Sequence, residues 1–405
     1  MKIAIIGSGI SGLTCAYYLN PTHDITVFEA NDYIGGHTHT VNVQNHAVDT
    51  GFIVFNDWTY PNFEKLMAEL NVQSHNTEMS FAVVDSDNAF EYSGSNLNTL
   101  FAQRRNLLSY SFWRMLRDIM RYNREALRDL DALDAGLTLG QYLTQNRYSK
   151  RFISHYIVPM GAAIWSMPTN EMLDFPLRFF ITFFKNHGLL SINNRPQWRV
   201  ITGGSSAYIA PLTASFKDKI HLNTAVQKVM RINQQVQIHS TRGVEQFDAV
   251  IFACHSDTAL QLLNEPSALE LELLTALPYA DNDVVLHTDI TRLPQRKTAW
   301  ASWNYNLSTN QRASLTYNMN ILQGIQSETT FCVSLNQTDW IAPDKILARF
   351  TYAHPQFSLS GVAAQARWTE ISGVNNTYFC GAYWGNGFHE DGVSSALRVV
   401  AQINE

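Results

Sequence analysis

The stretch from Ile3 to Glu29 constrains this chain more than any other. Ile3-Ala4-Ile5-Ile6 is a short apolar run suited to a buried parallel strand. It leads directly into Gly7-Ser8-Gly9-Ile10-Ser11-Gly12, after which Leu13 to Leu19 continues as an apolar helix face. Ile25-Thr26-Val27-Phe28 predicts a second strand, ending at Glu29. Each position has a physical task. Gly7 permits a tight turn, Gly9 lets a diphosphate approach the backbone, and Gly12 lets the helix pack against the strand. The helix N-terminus offers unpaired N–H groups and a positive dipole end to phosphate oxygens. Glu29 is placed to accept hydrogen bonds from ribose hydroxyls. A glycine motif alone is weak evidence and often marks an ordinary turn. Here strand, helix, second strand and terminal acid follow in order, so a dinucleotide site is expected. The acid at position 29 disfavours a 2′-phosphate, so NADP is not expected in this site.

Composition bounds the rest. At 405 residues the chain is long enough for two domains, or for one elaborated by insertions. Apolar residues make up 45% and charged residues 16%, enough to fill a sizeable core. A net charge of −6 argues against nucleic acid as a partner. Cys15, Cys254, Cys332 and Cys380 show no C-x-x-C or metal-ligand spacing, so reduced thiols and no metal site are expected. The N-terminus reaches its glycines too soon for a signal peptide, and no apolar run is long enough to cross a bilayer. A cytoplasmic protein is expected, with any membrane contact peripheral, at the inner face.

The segment past Glu29 separates FAD from NAD. Ala30 begins a run through Gly35-Gly36-His37-Thr38, and Asp49-Thr50-Gly51-Phe52 follows. This pattern resembles the flavin amine oxidase superfamily, which includes monoamine oxidases, protoporphyrinogen oxidases and phytoene desaturases. Their Gly-Gly-Arg wraps the FAD diphosphate, whereas His37 stands at the arginine position here. Three further segments resemble the same superfamily. Ile201-Thr202-Gly203-Gly204, ahead of Tyr208 to Leu212, is similar to its central glycine pair before a helix. Ala225-Val226-Gln227-Lys228-Val229 is similar to the strand whose valine backbone holds the adenine. Phe247 to Cys254, with Ala253 and Cys254 at its end, is similar to the strand that returns to the dinucleotide sheet.

The C-terminus extends the resemblance. Thr377-Tyr378-Phe379-Cys380-Gly381 reads as a last buried strand, Gly385 to Gly392 as a loop, and Val393 to Ile403 as the closing helix. The resemblance implies non-covalent FAD, with helix amides at Gly392 and Val393 facing the flavin N1–C2=O edge and stabilising charge on reduction. Ala382 replaces the acid that often follows the strand-end glycine, and Asp391 is the candidate for its ribityl contact. Gly-Phe-His-Glu-Asp-Gly and Ala299 to Tyr305 look closest to a bacterial branch of FAD-binding, amine-oxidase-like proteins. That branch is similar to the flavoprotein portion of plant cyclopropane-fatty-acid synthases, which implies an acyl-lipid substrate.

The expected fold is α/β within an α+β whole: a Rossmann-like FAD-binding domain in discontinuous segments with an inserted sheet and helical substrate domain. Residues 1–75, 196–280 and 371–405 are assigned to the first, and 76–195 and 281–370 to the second. Phe101 to Leu130 predicts a helix with Arg104, Arg105, Arg114, Arg117, Arg121, Arg124 and Arg128 along it. Such a helix either docks on anionic lipid or is a solvated helix on the core, the second being the commoner case. Phe179, Phe180, Phe183 and Phe184 line an acyl tunnel or pack the core. Tyr383 and Trp384, beside the flavin loop, are candidates to flank substrate, as are Trp300, Trp303 and Tyr305. Where many amine oxidases carry a lysine, Val284 to Asp289 has none. His287 and His389 are candidate catalytic groups, against a structural role for each.

No second G-x-G-x-x-G occurs, so no separate NAD(P)H domain is expected. The leading expectation is an FAD-dependent oxidoreductase acting at a C–C bond of an apolar substrate such as a fatty acyl chain, by hydride transfer with flavin N5. Amine oxidation, redox-neutral isomerisation or hydration, and a non-catalytic flavoprotein partner of a lipid-modifying enzyme remain as alternatives.

Overall fold

The computed structural model describes residues 1–85, 87, 89–307 and 312–405. The strand Lys2–Ile6 forms the middle of a sheet, with Ile3, Ala4 and Ile5 wholly buried. Asp24–Phe28 pairs with it in parallel on one side and Ala249–Phe252 on the other. Ile220–His221 and Thr377–Phe379 complete this five-stranded parallel sheet. Its strands therefore come from three distant parts of the chain. Parallel strands covered on both faces need apolar residues throughout, and Ala249–Phe252 is buried at all four positions.

The helix Ile10–Leu19 packs against this sheet and directly alongside the closing helix His389–Asn404. A Cβ on Gly12 would lie 2.0 Å from the carbonyl oxygen of Gly7, so only glycine admits this approach of helix to turn. Gly7 itself holds a φ of 106° against the backbone of Ala253.

A second, seven-stranded sheet has the order 346–355, 279–287, 332–335, 315–318, 303–307, 81–85, 90–93. All its pairings are antiparallel except that of Trp303–Leu307 with Phe81–Asp85. Tyr279–His287 and Ile346–Pro355 pair along their whole length, which carries the C-terminal end of the latter strand back toward the nucleotide sheet. A helical lobe covers the 81–93 end, with Phe112, Tyr122, Phe152, Phe175 and Phe180 buried at its centre.

Two helices differ from the sequence expectation. Residues 101–130 do not form one helix. A 3-10 turn, Arg104–Leu108, comes first, and the α-helix Tyr110–Asp129 starts afresh behind Ser109. The Ser109 hydroxyl accepts the N–H of Phe112 at 3.3 Å, an N-cap that sets the boundary. The closing helix begins four residues earlier than expected, at His389 rather than Val393. Asp391 causes this, because its carboxylate accepts the N–H of Phe388 at 2.9 Å and caps the first turn.

All four cysteines are free thiols, with the sulfurs of Cys15 and Cys380 3.8 Å apart in the core. Among the described residues no helix is long and apolar enough to cross a membrane, and no cluster of potential ligands could hold a metal ion.

Candidate cofactor and substrate site

The glycine turn, the Gly35-Gly36 pair and the closing helix meet at one end of the parallel sheet. Gly35 donates its N–H to the carbonyl of Ser8 at 3.0 Å. A Cβ on Gly36 would lie 3.1 Å from the Cα of Gly9, and one on Gly392 would lie 2.8 Å from Ile10 Cγ2 and 3.0 Å from Ser11 Oγ. Two helix N-termini, at Ile10 and at His389, therefore face the same space.

Glu29 is 6% exposed and already fixed. Its Oε2 accepts from the backbone N–H of Ser8 at 2.9 Å and from the Ser8 hydroxyl at 2.7 Å. Its Oε1 accepts from the N–H of Asn31 at 2.9 Å. Oε1 keeps lone-pair capacity for a ribose hydroxyl, whereas Oε2 is filled by its two Ser8 donors. Ala30 is exposed just past Glu29, whose carbonyl accepts the N–H of Thr224 at 2.7 Å; two residues on, Val226 opens its strand. Ala253 and Cys254 close the wall beside Gly7, and burial holds the Cys254 thiol protonated.

The cradle fits FAD. A Cβ on Gly9 would meet nothing within 4 Å, although the glycines around it are crowded. Open space thus lies beside the N-terminus of the first helix, where a diphosphate can take up its amide hydrogens. The charge supply differs from the family pattern. His37 is pushed well below the usual imidazole range by burial, and also by His354, His255 and His389 nearby. Its Nε2 bonds the carbonyl of Ala353 at 3.1 Å. A neutral ring therefore stands where the resemblance implies a guanidinium, and the backbone amides are left to hold the diphosphate.

The segment 49–52 docks on the same region. Phe52 donates its N–H to the carbonyl of His37 at 2.7 Å, and a Cβ on Gly51 would lie 2.1 Å from that oxygen. The Phe52 ring stacks on His389 at 3.6 Å between centroids. His389 Nε2 lies 2.9 Å from Thr38 Oγ1, and burial pushes its pKa down to about 3, so the ring is neutral.

The closing helix presents amides one turn earlier than the sequence suggested. The N–H of Gly392 is taken by the carbonyl of Phe388 at 3.1 Å, so the unsatisfied amides of the first turn belong to residues 389–391. Val393 is buried in the second turn. Asp391, pushed up to about 6 by burial, engages the N–H of Phe388 at 2.9 Å and the side-chain amide of Asn386 at 3.3 Å. Gly381 donates its N–H to Ser395 Oγ at 2.9 Å, fixing the strand end on this helix.

Tyr383 and Trp384 are buried just past Gly381. Tyr383 sits edge-on to Tyr279 at 6.1 Å. Among the described residues, neither the Tyr383 hydroxyl nor the Trp384 indole N–H has a hydrogen-bond partner. Such orphaned donors inside a protein are uncommon and mark a place built around something else.

His287 is not brought to this constellation. It ends the strand that starts at Tyr279, so the strand separates it from Tyr279 by roughly 25 Å. Its Nε2 lies 2.8 Å from Ser334 Oγ, and its Nδ1 accepts the N–H of Asp289 at 3.0 Å, leaving no ring nitrogen for a substrate. Trp303 packs edge-on to Tyr317 in the large sheet, and Trp300 donates to the carbonyl of Pro294 at 2.8 Å.

Three residues that position the site had no motif to announce them. Gln365 donates from Nε2 to the carbonyls of Tyr383 and Gly385, at 2.7 and 2.6 Å. Glu390 accepts the N–H groups of Asn62 and Phe63, capping the helix Pro61–Glu69 from the first turn of the closing helix. Gln323 clasps the backbone N–H and the carboxylate of Asp49, at 2.9 and 2.8 Å.

Residues 10–288 match the family model described as flavin containing amine oxidoreductase. A curated relative, 1-hydroxycarotenoid 3,4-desaturase of Flavobacterium sp. (strain P99-3), is 35% identical over 92 residues, which span 22% of this chain and only 18% of that protein. In structure the chain is similar to putrescine oxidase bound to putrescine, at a TM-score of 0.71 and 14% identity, covering 100% of this chain and 99% of that one. It is also similar to the CLA-producing fatty acid isomerase from P. acnes, at 0.68 and 15%, covering 98% and 97%. These two likenesses establish the fold. The family match spans more than half of the chain and includes Glu29 and the Gly35-Gly36 pair, and the chain accordingly belongs to the flavin-containing amine oxidoreductases as an FAD-dependent oxidoreductase.

Proposed function

We propose that this oxidoreductase acts at a C–C bond of an apolar substrate, a fatty acyl chain in the first instance. The observation that carries the reading is the chemistry around the loop 385–388. Phe388 stacks on Phe183 at 5.1 Å, and Phe183 stacks on His187 at 3.8 Å. Phe179 stacks on Phe357 at 5.1 Å, and a Cβ on Gly387 would lie 3.3 Å from that Phe357 ring. The Trp165 indole donates to the carbonyl of Asn386 at 3.3 Å. Burial pushes His187 down to about 4, so this aromatic wall carries no charge at neutral pH. A wall of uncharged rings suits an alkyl or alkenyl chain and gives an ammonium group no counter-ion.

Bound FAD supplies the two-electron chemistry at such a bond, and the side chains supply binding and orientation. The aromatic wall excludes water and holds the chain by surface burial. Gln365 holds the loop by two carbonyls, and the first-turn amides at 389–391 direct positive dipole ends at the cofactor space. The desaturation named for the carotenoid relative and the fatty acid named for one structural neighbour are in keeping with this substrate class.

The test is the absorbance spectrum of the purified protein, followed anaerobically as candidates are added. Bleaching of the flavin band by an unsaturated or saturated acyl lipid supports the proposal. Bleaching by amines alone would replace it with amine oxidation. Product formed from lipid without net bleaching or any acceptor would point to redox-neutral isomerisation or hydration. Bound flavin with no response to either class would favour a non-catalytic partner of a lipid-modifying enzyme.

A further inference from the structure

Far from the cofactor cradle, the start of the helix Tyr110–Asp129 and the turn before it carry an unusual surface. Leu108 is 93% exposed and Tyr110 79%, with Leu107 and Trp113 about half exposed beside them. Single exposed apolar residues are ordinary, but four within seven positions form a patch. They are held in place: the Trp113 indole donates to the carbonyl of Leu107 at 2.8 Å and packs on Phe101 at 5.3 Å.

Adjoining the patch at Leu108 is an open hollow of about 730 Å³. Arg105, Lys150, Arg151 and His155 line it, together with the hydroxyl-bearing Ser109, Ser111 and Ser154, and its walls include no carboxylate. Arg151 lies over the Phe90 ring at 4.2 Å and donates to Ser111 Oγ at 2.7 Å, while its Nε is buried without a partner among the described residues. Burial lowers the pKa of Arg151, and Arg105 nearby lowers it further. Asp85 is 3.4 Å from His155, and is the acid that faces this group. Two guanidiniums and an ammonium thus share a hollow edged with serine hydroxyls, an arrangement that receives a phosphate.

The rest of the arginine-rich helix is different. Arg121 pairs with Asp118 and Glu125, and Arg128 with Asp129, so its C-terminal half neutralises itself. Its apolar stripe, Phe112, Met115, Tyr122 and Ala126, faces the core. The basic excess is therefore concentrated at the N-terminal end, beside the exposed apolar side chains.

We propose that this end of the lobe docks on a bilayer containing anionic phospholipid, with a headgroup phosphate in the cavity and Leu107, Leu108, Tyr110 and Trp113 in the interface. Charge complementarity selects the occupant: the cavity is basic, and its rim is apolar where acyl chains begin. This goes beyond the substrate assignment, and either could hold without the other.

The test uses the full-length, FAD-loaded protein sedimented with vesicles of phosphatidylcholine alone or with about one-third phosphatidylglycerol. Binding to the mixed vesicles, at least about tenfold tighter than to neutral ones and weakened by salt, is expected. Arg105→Gln with Lys150→Gln, both at exposed positions, should reduce that binding about tenfold or more. Leu108→Ser with Tyr110→Ser should also reduce it, while flavin content and flavin reduction by a soluble substrate stay unchanged. Equal binding to neutral vesicles, no binding to either, or unaltered binding by both double variants would overturn the proposal. So would tight binding of inorganic phosphate by a protein that ignores vesicles, which would make the cavity a site for a free anion.

Discussion

Buried neutral histidines make this protein sensitive to acid, and His287 gives a measurable share. In the fold its pKa is pushed down to about 4, chiefly by burial, against about 6.5 in an unfolded chain. Between those values the unfolded state binds the proton and the folded state does not. The stability contributed by the neutral ring is fully present above pH 6.5 and is lost as pH falls toward 4. At pH 5 the loss relative to pH 8 is roughly 2 kcal/mol for this one group. His187 and His354, also pushed down to about 4 by burial, add similar amounts, as does His389 at about 3. Asp49 and Asp391 act in the opposite sense. Burial pushes both up to about 6, so their protonation below that pH favours the fold by roughly 1 kcal/mol each at pH 5. Over these six groups the balance is a loss of several kcal/mol between pH 8 and pH 5, and the lowered pKa of buried His37 acts in the same direction. Urea unfolding at a series of pH values measures it, and His287→Asn isolates one contribution. Asparagine can still accept the N–H of Asp289, while Ser334 keeps its bond to Thr316 at 2.7 Å. The variant should start about 1 kcal/mol weaker at pH 8 from the lost hydrogen bond, and its pH 8-to-5 loss should be smaller than wild type by roughly 2 kcal/mol. Parallel pH profiles for the two proteins would refute a buried neutral imidazole, and a stability that rises steadily toward pH 5 would refute the balance as a whole.

Other substitutions probe the site by separable readouts. Gly9→Ala adds a methyl that meets no protein atom within 4 Å, at a φ of −70° that any residue adopts. The apoprotein should unfold as wild type does, while FAD titration shows an affinity lower by about tenfold or more, because the diphosphate needs that space. Gly12→Ala puts its methyl 2.0 Å from the Gly7 carbonyl, so both stability and flavin content should fall in the purified protein. Gln365→Leu removes both carbonyl contacts on the 383–385 loop and should lower stability by about 2 kcal/mol, with a shifted or broadened flavin absorbance. Glu390→Ala uncaps the helix Pro61–Glu69, and a loss of about 1–2 kcal/mol in denaturant unfolding should follow.

How much of this was readable in the sequence depended on whether the function was carried by backbone or by side chains meeting from afar. The turn at Gly7–Gly12 is local chemistry: helix-to-strand closeness demands glycine, and the spacing is visible in a row of letters. The parallel strands announced themselves as continuous apolar runs, Ala249–Phe252 as plainly as Ile3–Ile6. The closing helix was misplaced by four residues because the glycines at 385, 387 and 392 read as loop, while the Asp391 cap depends on one carboxylate turning back to Phe388. Residues 101–130 read as one helix because periodicity does not register a single serine cap at 109. Gln323, Gln365 and Glu390 are ordinary polar letters. Their partners lie at residues 49, 383–385 and 62–63, separations over which no local pattern extends.

The same contrast explains how His37 can stand at a position where relatives are expected to carry arginine. A guanidinium there would add charge to a diphosphate already offered the amides of a helix N-terminus and a turn of glycines. In this chain the position is packed among the rings of His255, His354 and Tyr352, at 5.3 to 5.9 Å between centroids. Burying a permanent cation in that company without a carboxylate would be costly, whereas an imidazole can lose its proton and remain. The neutral ring keeps its bond to the Ala353 carbonyl, and so ties the Gly35-Gly36 wrap to the long strand Ile346–Pro355 of the second sheet. Charge at the diphosphate is given up and a direct connection between the cofactor wrap and the large sheet is obtained. His37→Arg should therefore disturb the packing of the two sheets more than it tightens FAD, a result opposite to the one a charge argument alone would give.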